Sequence, residues 1–133
     1  MCLPYAYFGH HKCGTQSIQD IVRDVCAELT LRQTIYNSPR EFGGDLPAAL
    51  RTSPTDFLCY SNAVAHHVQG LSGYRAFHVV RDPRDIVVSA YFSHKHSHPL
   101  PNPGKGVSWL TADYRRTLQE VDLEAGLLMV LER

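Results

Sequence analysis

Residues 4–29 read PYAYFGHHKCGTQSIQDIVRDVCAEL. The opening PYAYFG is short, aromatic and apolar, which predicts a buried strand over residues 4–9. Residues 10–15 carry a glycine and polar side chains and predict a loop. From Gln16 the period changes, with Ile18, Ile21, Val22, Val25, Cys26 and Leu29 at the spacing of one helical face. The chain therefore opens strand–loop–helix, and the rest repeats the alternation. Strands are expected over residues 31–36, 56–61 and 74–80. Between them come a turn-rich stretch (37–44), a short helix capped by Asp45 and running through Leu50, and a short helix over 63–69 that stops at Gly70. Asp82 and Pro83 are a natural N-cap and first helical residue for a helix reaching about His96. A proline- and glycine-rich loop (99–106) leads to helices over 109–121 and 122–132. Asp122 caps the last of these, and Leu123, Leu127, Leu128 and Leu131 form its stripe. This pattern predicts an α/β fold: one domain over residues 1–133, with helices on both faces of a mostly parallel sheet in three layers.

Composition narrows the function. The chain has 133 residues, 44% apolar and 20% charged, with zero formal net charge. That is an ordinary globular balance, and it disfavours a broadly basic nucleic-acid-binding surface. Cys2, Cys13, Cys26 and Cys59 form no CxxC pair, which argues against a zinc ribbon or a disulfide scaffold. Cys26 and Cys59 fall in apolar patterns and are expected as buried thiols, as suits a reducing compartment. There is no basic segment followed by an apolar one at the start, and no apolar run near the ~20 residues of a membrane span. A soluble, cytoplasmic protein is expected, although a Golgi catalytic domain cut from its anchor would read the same way.

Two motifs carry chemistry. The first is the loop Gly9-His10-His11-Lys12-Cys13-Gly14-Thr15-Gln16-Ser17, placed where backbone N–H groups and a helix N-terminus bind phosphate. Gly9 and Gly14 have the GxxxxG spacing of a nucleotide phosphate loop. The lysine and hydroxyl that should follow are Thr15 and Gln16 instead, so the usual magnesium-nucleotide chemistry is not supported. The second motif is Val79-Val80-Arg81-Asp82-Pro83-Arg84-Asp85-Ile86-Val87-Val88-Ser89. Arg81 is expected to end a strand at the carboxyl edge of the sheet, with Ser89 two helical turns beyond Pro83 and facing back towards it. An arginine fork and a hydroxyl converging there suit a phosphate monoester.

The two motifs resemble those of sulfotransferases that use 3′-phosphoadenosine 5′-phosphosulfate (PAPS). Lys12, Gly14, Thr15 and Ser17 match the 5′-phosphosulfate loop K-[ST]-G-T-[ST], with Cys13 and Gln16 standing where hydroxyl residues are common. Residues 81–89 match the 3′-phosphate signature R-[DN]-P-[RK]-D-x-x-x-S, and the likeness runs on into Tyr91-Phe92. The resemblance covers roughly residues 4–97. It implies a partial P-loop NTPase-like sulfotransferase fold, with PAPS as co-substrate and no metal. Lys12, Cys13, Gly14, Thr15, Gln16, Ser17, Arg81 and Ser89 would bind the donor, and the acceptor would be a small-molecule or glycan hydroxyl or amine. Lys12 is also implied to be catalytic, stabilising charge on the leaving oxygen.

Cytosolic members place a basic histidine in a K-T-H segment after the third strand, where this chain has Tyr60-Ser61-Asn62. His66 and His67 are the nearby substitutes, and Glu41 is a weaker one, since other branches use a glutamate. His94, His96 and His98 read as a solvated, fraying helix end rather than a metal site. His10-His11 flanks the loop. Family members run about twice this length, and no later element of theirs is matched after Val121, so a fragment or truncated homologue is expected. The alternatives are a non-catalytic nucleotide-binding module of the same fold and a P-loop small-molecule kinase.

Overall fold

A computed structural model describes residues 4–100 and 110–132. The chain forms two compact units, Met1–Val80 and Arg81–Arg133.

The first unit is an α/β layer structure. Strands β1 (Tyr5–Phe8), β2 (Gln33–Tyr36), β3 (Phe57–Tyr60) and β4 (Arg75–Phe77) form one sheet in the order β2-β3-β1-β4, every pairing parallel. Alternation along β1 sends Ala6 to one face and Tyr7 to the other. On the Tyr7 face, Tyr7 and Cys59 pack with Val22 and Cys26 of helix α1 (Thr15–Glu28). On the Ala6 face, Ala6, Leu58 and Tyr60 pack with Leu46 and Leu50 of α2 (Leu46–Thr52) and with Phe42 of a 3-10 turn (Pro39–Phe42). A one-turn helix, α3 (Ala65–Val68), adds Val68 to that face. Helices thus cover both faces of an all-parallel sheet, as the alternating pattern predicts.

Two expectations for this unit are corrected. The stripe along α1 is only half used. Gln19, Val22 and Cys26 are buried, whereas Ile21 and Leu29 are 59% and 61% exposed. The fourth strand also ends at Phe77, four residues before Arg81. Its register on β1 stops at Tyr7↔Phe77. Gly9 continues the β1–β3 pairing, its N–H donating to the Tyr60 carbonyl (2.8 Å) and its carbonyl accepting from the Ala63 N–H (2.9 Å).

In the second unit, α4 (Pro83–Phe92) continues into a π-helical turn (Ser93–Ser97), followed by α5 (Ala112–Glu120) and α6 (Leu123–Leu131). Tyr91, Leu110, Tyr114 and Leu118 are its core, with Leu127, Met129 and Val130 against them. The residues expected to fray are wound and partly buried. His94 is only 5% exposed. Arg115 donates through Nε to the His94 carbonyl (2.9 Å) and through Nη2 to that of His98, and the Gln119 amide donates to the Lys95 carbonyl (3.1 Å). These side chains of α5 satisfy carbonyls at a helix end that would otherwise need water. The α6 stripe is also shifted: Leu123, Leu128 and Leu131 are exposed, and the helix buries Gly126 instead. A β-carbon there would stand 2.4 Å from Cε2 of Tyr91, so only glycine allows this approach.

Candidate anion-binding site at the carboxyl edge of the sheet

β1 leads through α1 to β2 on one side, while the adjacent β3 leads to β4 on the other, and α1 and α3 lie on opposite faces. The carboxyl ends of β1 and β3 therefore bound a topological switch point, where open α/β sheets bind ligands. The loop of residues 9–14 sits at this point. Lys12 and Gly14 both adopt left-handed backbone, at φ 59° and 73°. Such a conformation costs a lysine about 1–2 kcal/mol and costs glycine nothing, and it turns the loop sharply into α1. Gly14 occupies the N-cap without a side-chain cap, and the first turn has no acidic residue. A helix N-terminus of this kind carries partial positive charge.

Gly9 is held in a tight seat. A β-carbon added there would stand 3.2 Å from the Tyr7 hydroxyl oxygen, 3.3 Å from Ser61 Cα and 3.3 Å from Thr15 Oγ1. The Thr15 hydroxyl donates to the His10 carbonyl across the loop (3.3 Å). The remaining loop residues expected to bind the donor differ in their availability. Cys13 is buried, Ser17 is exposed, and the Gln16 amide turns along the helix to donate to Asp20 (3.2 Å). His10 packs edge-on against His78, 5.2 Å between ring centres.

Beside the loop, three side chains join the ends of β2, β3 and α1. The buried Gln19 amide donates to Ser61 Oγ (2.7 Å) and Asn37 Oδ1 (3.3 Å), and the Ser61 hydroxyl donates to Asn37 Oδ1 (3.2 Å). Glu41 accepts the Asn37 backbone N–H (2.8 Å). Asn62 follows in left-handed backbone, φ 51°.

His66 and His67 stand on α3, their rings 4.0 Å apart. His66 is exposed. His67 packs against Phe42, and its Nδ1 lies 2.7 Å from the hydroxyl of the fully buried Tyr60. Either group can donate in this bond, according to the ring tautomer of His67. Desolvation, helped by the neighbouring His66, pushes His67 below its ordinary pKa, and burial pushes Tyr60 up. His67 is thus tied to the core on the face opposite α1.

Arg81 and Ser89 belong to the second unit. Arg81 precedes α4 and pairs with Asp85 (3.6 Å), both side chains exposed, while Ser89 is half-buried on the helix. Asp82 caps α4 by accepting the Arg84 N–H (2.9 Å). The Arg84 guanidinium grips the same carboxylate (2.7 and 3.1 Å), holding it below its ordinary pKa.

Tyr7, Gln19, Asn37 and Tyr60 were not singled out by motif. Gln19 had a findable signal, since it lies in register with Val22 and Cys26 and a polar side chain in a buried row needs a partner. Among the described residues, no cluster of three or more histidine, cysteine or acidic side chains is arranged to hold a metal ion, and no helix is long and apolar enough to cross a membrane. No family model, curated protein or solved structure matches the chain.

Proposed function

We propose that this chain is the donor-binding part of a PAPS-dependent sulfotransferase with a P-loop NTPase-like core. The observation that carries the reading is the loop at the switch point, where left-handed Lys12 and Gly14 lead into an α1 with no side-chain cap. Such a loop offers backbone N–H groups and a lysine to an oxyanion without needing a metal. The motif at Arg81–Ser89 supports a second, separate phosphate, which a 3′-phosphorylated nucleotide has and ATP lacks. In this reading Lys12, Gly14, Thr15 and Ser17 hold the phosphosulfate, and Arg81 and Ser89 hold the 3′-phosphate. Binding the 3′-phosphate would exchange the exposed Asp85 partner of Arg81 for a dianion, a favourable trade for a guanidinium.

The reaction is an in-line displacement. The acceptor oxygen or nitrogen forms a bond to sulfur, and the bond from sulfur to the bridging oxygen breaks. Its electron pair stays on the departing phosphate, where Lys12 neutralises it. The acceptor's proton passes to a base. His66 is exposed on α3, and Glu41 is an exposed carboxylate beside Asn37. The Tyr60 bond leaves His67 Nδ1 less suited to that role.

Calorimetry decides the donor. Adenosine 3′,5′-bisphosphate is expected to bind without magnesium and more tightly than AMP or magnesium-ATP. Equal affinities for the bisphosphate and AMP would remove the 3′-phosphate site.

A further inference from the structure

Tyr7 fills the core beneath α1, fully buried, with its ring tilted 5.3 Å from that of Phe77. Its hydroxyl does not belong in those surroundings. Among the described residues it has no hydrogen-bond partner, and phenylalanine would fill the same space without that cost. The hydroxyl lies under the loop, for it and Thr15 Oγ1 flank the same spot beside Gly9, 3.2 and 3.3 Å from where a β-carbon would stand. Thr15 opens α1, whose N-terminus carries no side-chain cap. Its single proton now serves the His10 carbonyl over a long 3.3 Å. It can serve that carbonyl or an anion in the loop, but not both.

We propose that Tyr7 is a positioning residue of the anion loop, its hydroxyl donating to Thr15 Oγ1 once Thr15 turns its own proton to a bound phosphate-type oxyanion. Tyr7 and Thr15 then form a donor chain ending on the anion, in which the first bond polarises and strengthens the second. To do so Thr15 must turn its hydroxyl away from the His10 carbonyl. The inference rests on the reading of this loop as an oxyanion site and adds a buried residue behind it.

The test is a double-mutant cycle with adenosine 3′,5′-bisphosphate as probe. Wild type, Tyr7→Phe, Thr15→Val and the double variant are titrated by calorimetry and melted without ligand. Tyr7→Phe is expected to melt at or above the wild-type temperature yet bind about 3- to 10-fold more weakly. In the Thr15→Val background the same change should have no effect on affinity. Tyr7→Phe binding as wild type does, the two losses simply adding, or Tyr7→Phe melting well below wild type would each overturn the proposal. If wild type binds neither the bisphosphate nor inorganic phosphate, the oxyanion loop itself fails and this inference with it. If wild type binds and Tyr7→Phe is indistinguishable from it, only the role of Tyr7 is lost.

Discussion

Lys12 combines a charge with a backbone conformation that disfavours it, and two substitutions separate the effects. Lys12→Gly relieves the left-handed strain and Lys12→Ala keeps it, so the glycine variant should be the more stable by about 1–2 kcal/mol in urea unfolding. Both lose the charge and should bind adenosine 3′,5′-bisphosphate equally weakly. On the proposed reading, Lys12→Ala damages turnover more than affinity, because the charge it meets develops in the transition state. Arg81→Ala instead weakens bisphosphate binding by roughly 10- to 150-fold. His67 supplies a pH test. Its folded pKa lies below the ordinary value of 6.5, so the unfolded chain takes up the proton first and stability falls as pH drops below that value. Melting temperatures between about pH 7.5 and about pH 5 should decline in wild type and flatten in His67→Asn, which keeps an acceptor for Tyr60.

At the scale of elements, glycine again decides a packing. Gly126→Ala places a methyl 2.4 Å from the Tyr91 ring, and the cost should be about 1–3 kcal/mol despite alanine's better helix propensity. Chemical denaturation measures it, and a neutral or stabilising result would mean that α6 shifts freely over α4. What could be read from sequence at this scale follows the range of the forces involved. Asp45, Asp82 and Asp122 each cap the expected helix, because a cap needs only a donor two or three residues away. The length of β4 was hidden, because it depends on pairing with β1, about 70 residues earlier in the chain. The π turn was hidden too, because Arg115 and Gln119 hold it from another helix. In the candidate site, the loop and Gly14 were legible from local spacing. Tyr7 and the Gln19–Asn37–Ser61 bonds were not, because they join segments far apart in the chain.

For the molecule as a whole, the central parallel pair carries the buried positions. Ala6, Tyr7, Leu58 and Cys59 are at most 1% exposed, while β4 at the edge is exposed throughout. Amide exchange should therefore be slowest in β1 and β3 and markedly faster in β4, and uniform protection across the four strands would contradict this layering. A ligand that binds only the folded form stabilises all of it by mass action, about 2.7 kcal/mol at a hundredfold excess over Kd. Adenosine 3′,5′-bisphosphate should raise Tm by several degrees under those conditions, AMP by much less, and added magnesium should change neither.

The buried thiols make the protein its own reporter. Cys13 lies within the loop, whereas Cys26 and Cys59 lie in the core between α1 and the sheet, and all three are reduced and shielded. In a Cys2→Ser background, an alkylating reagent would meet two clocks. Cys13 would be modified each time the loop lifts, and Cys26 and Cys59 only when the sheet and α1 part. Loop breathing becomes readable by mass spectrometry with no label added. A bound anion should slow the first clock far more than the second.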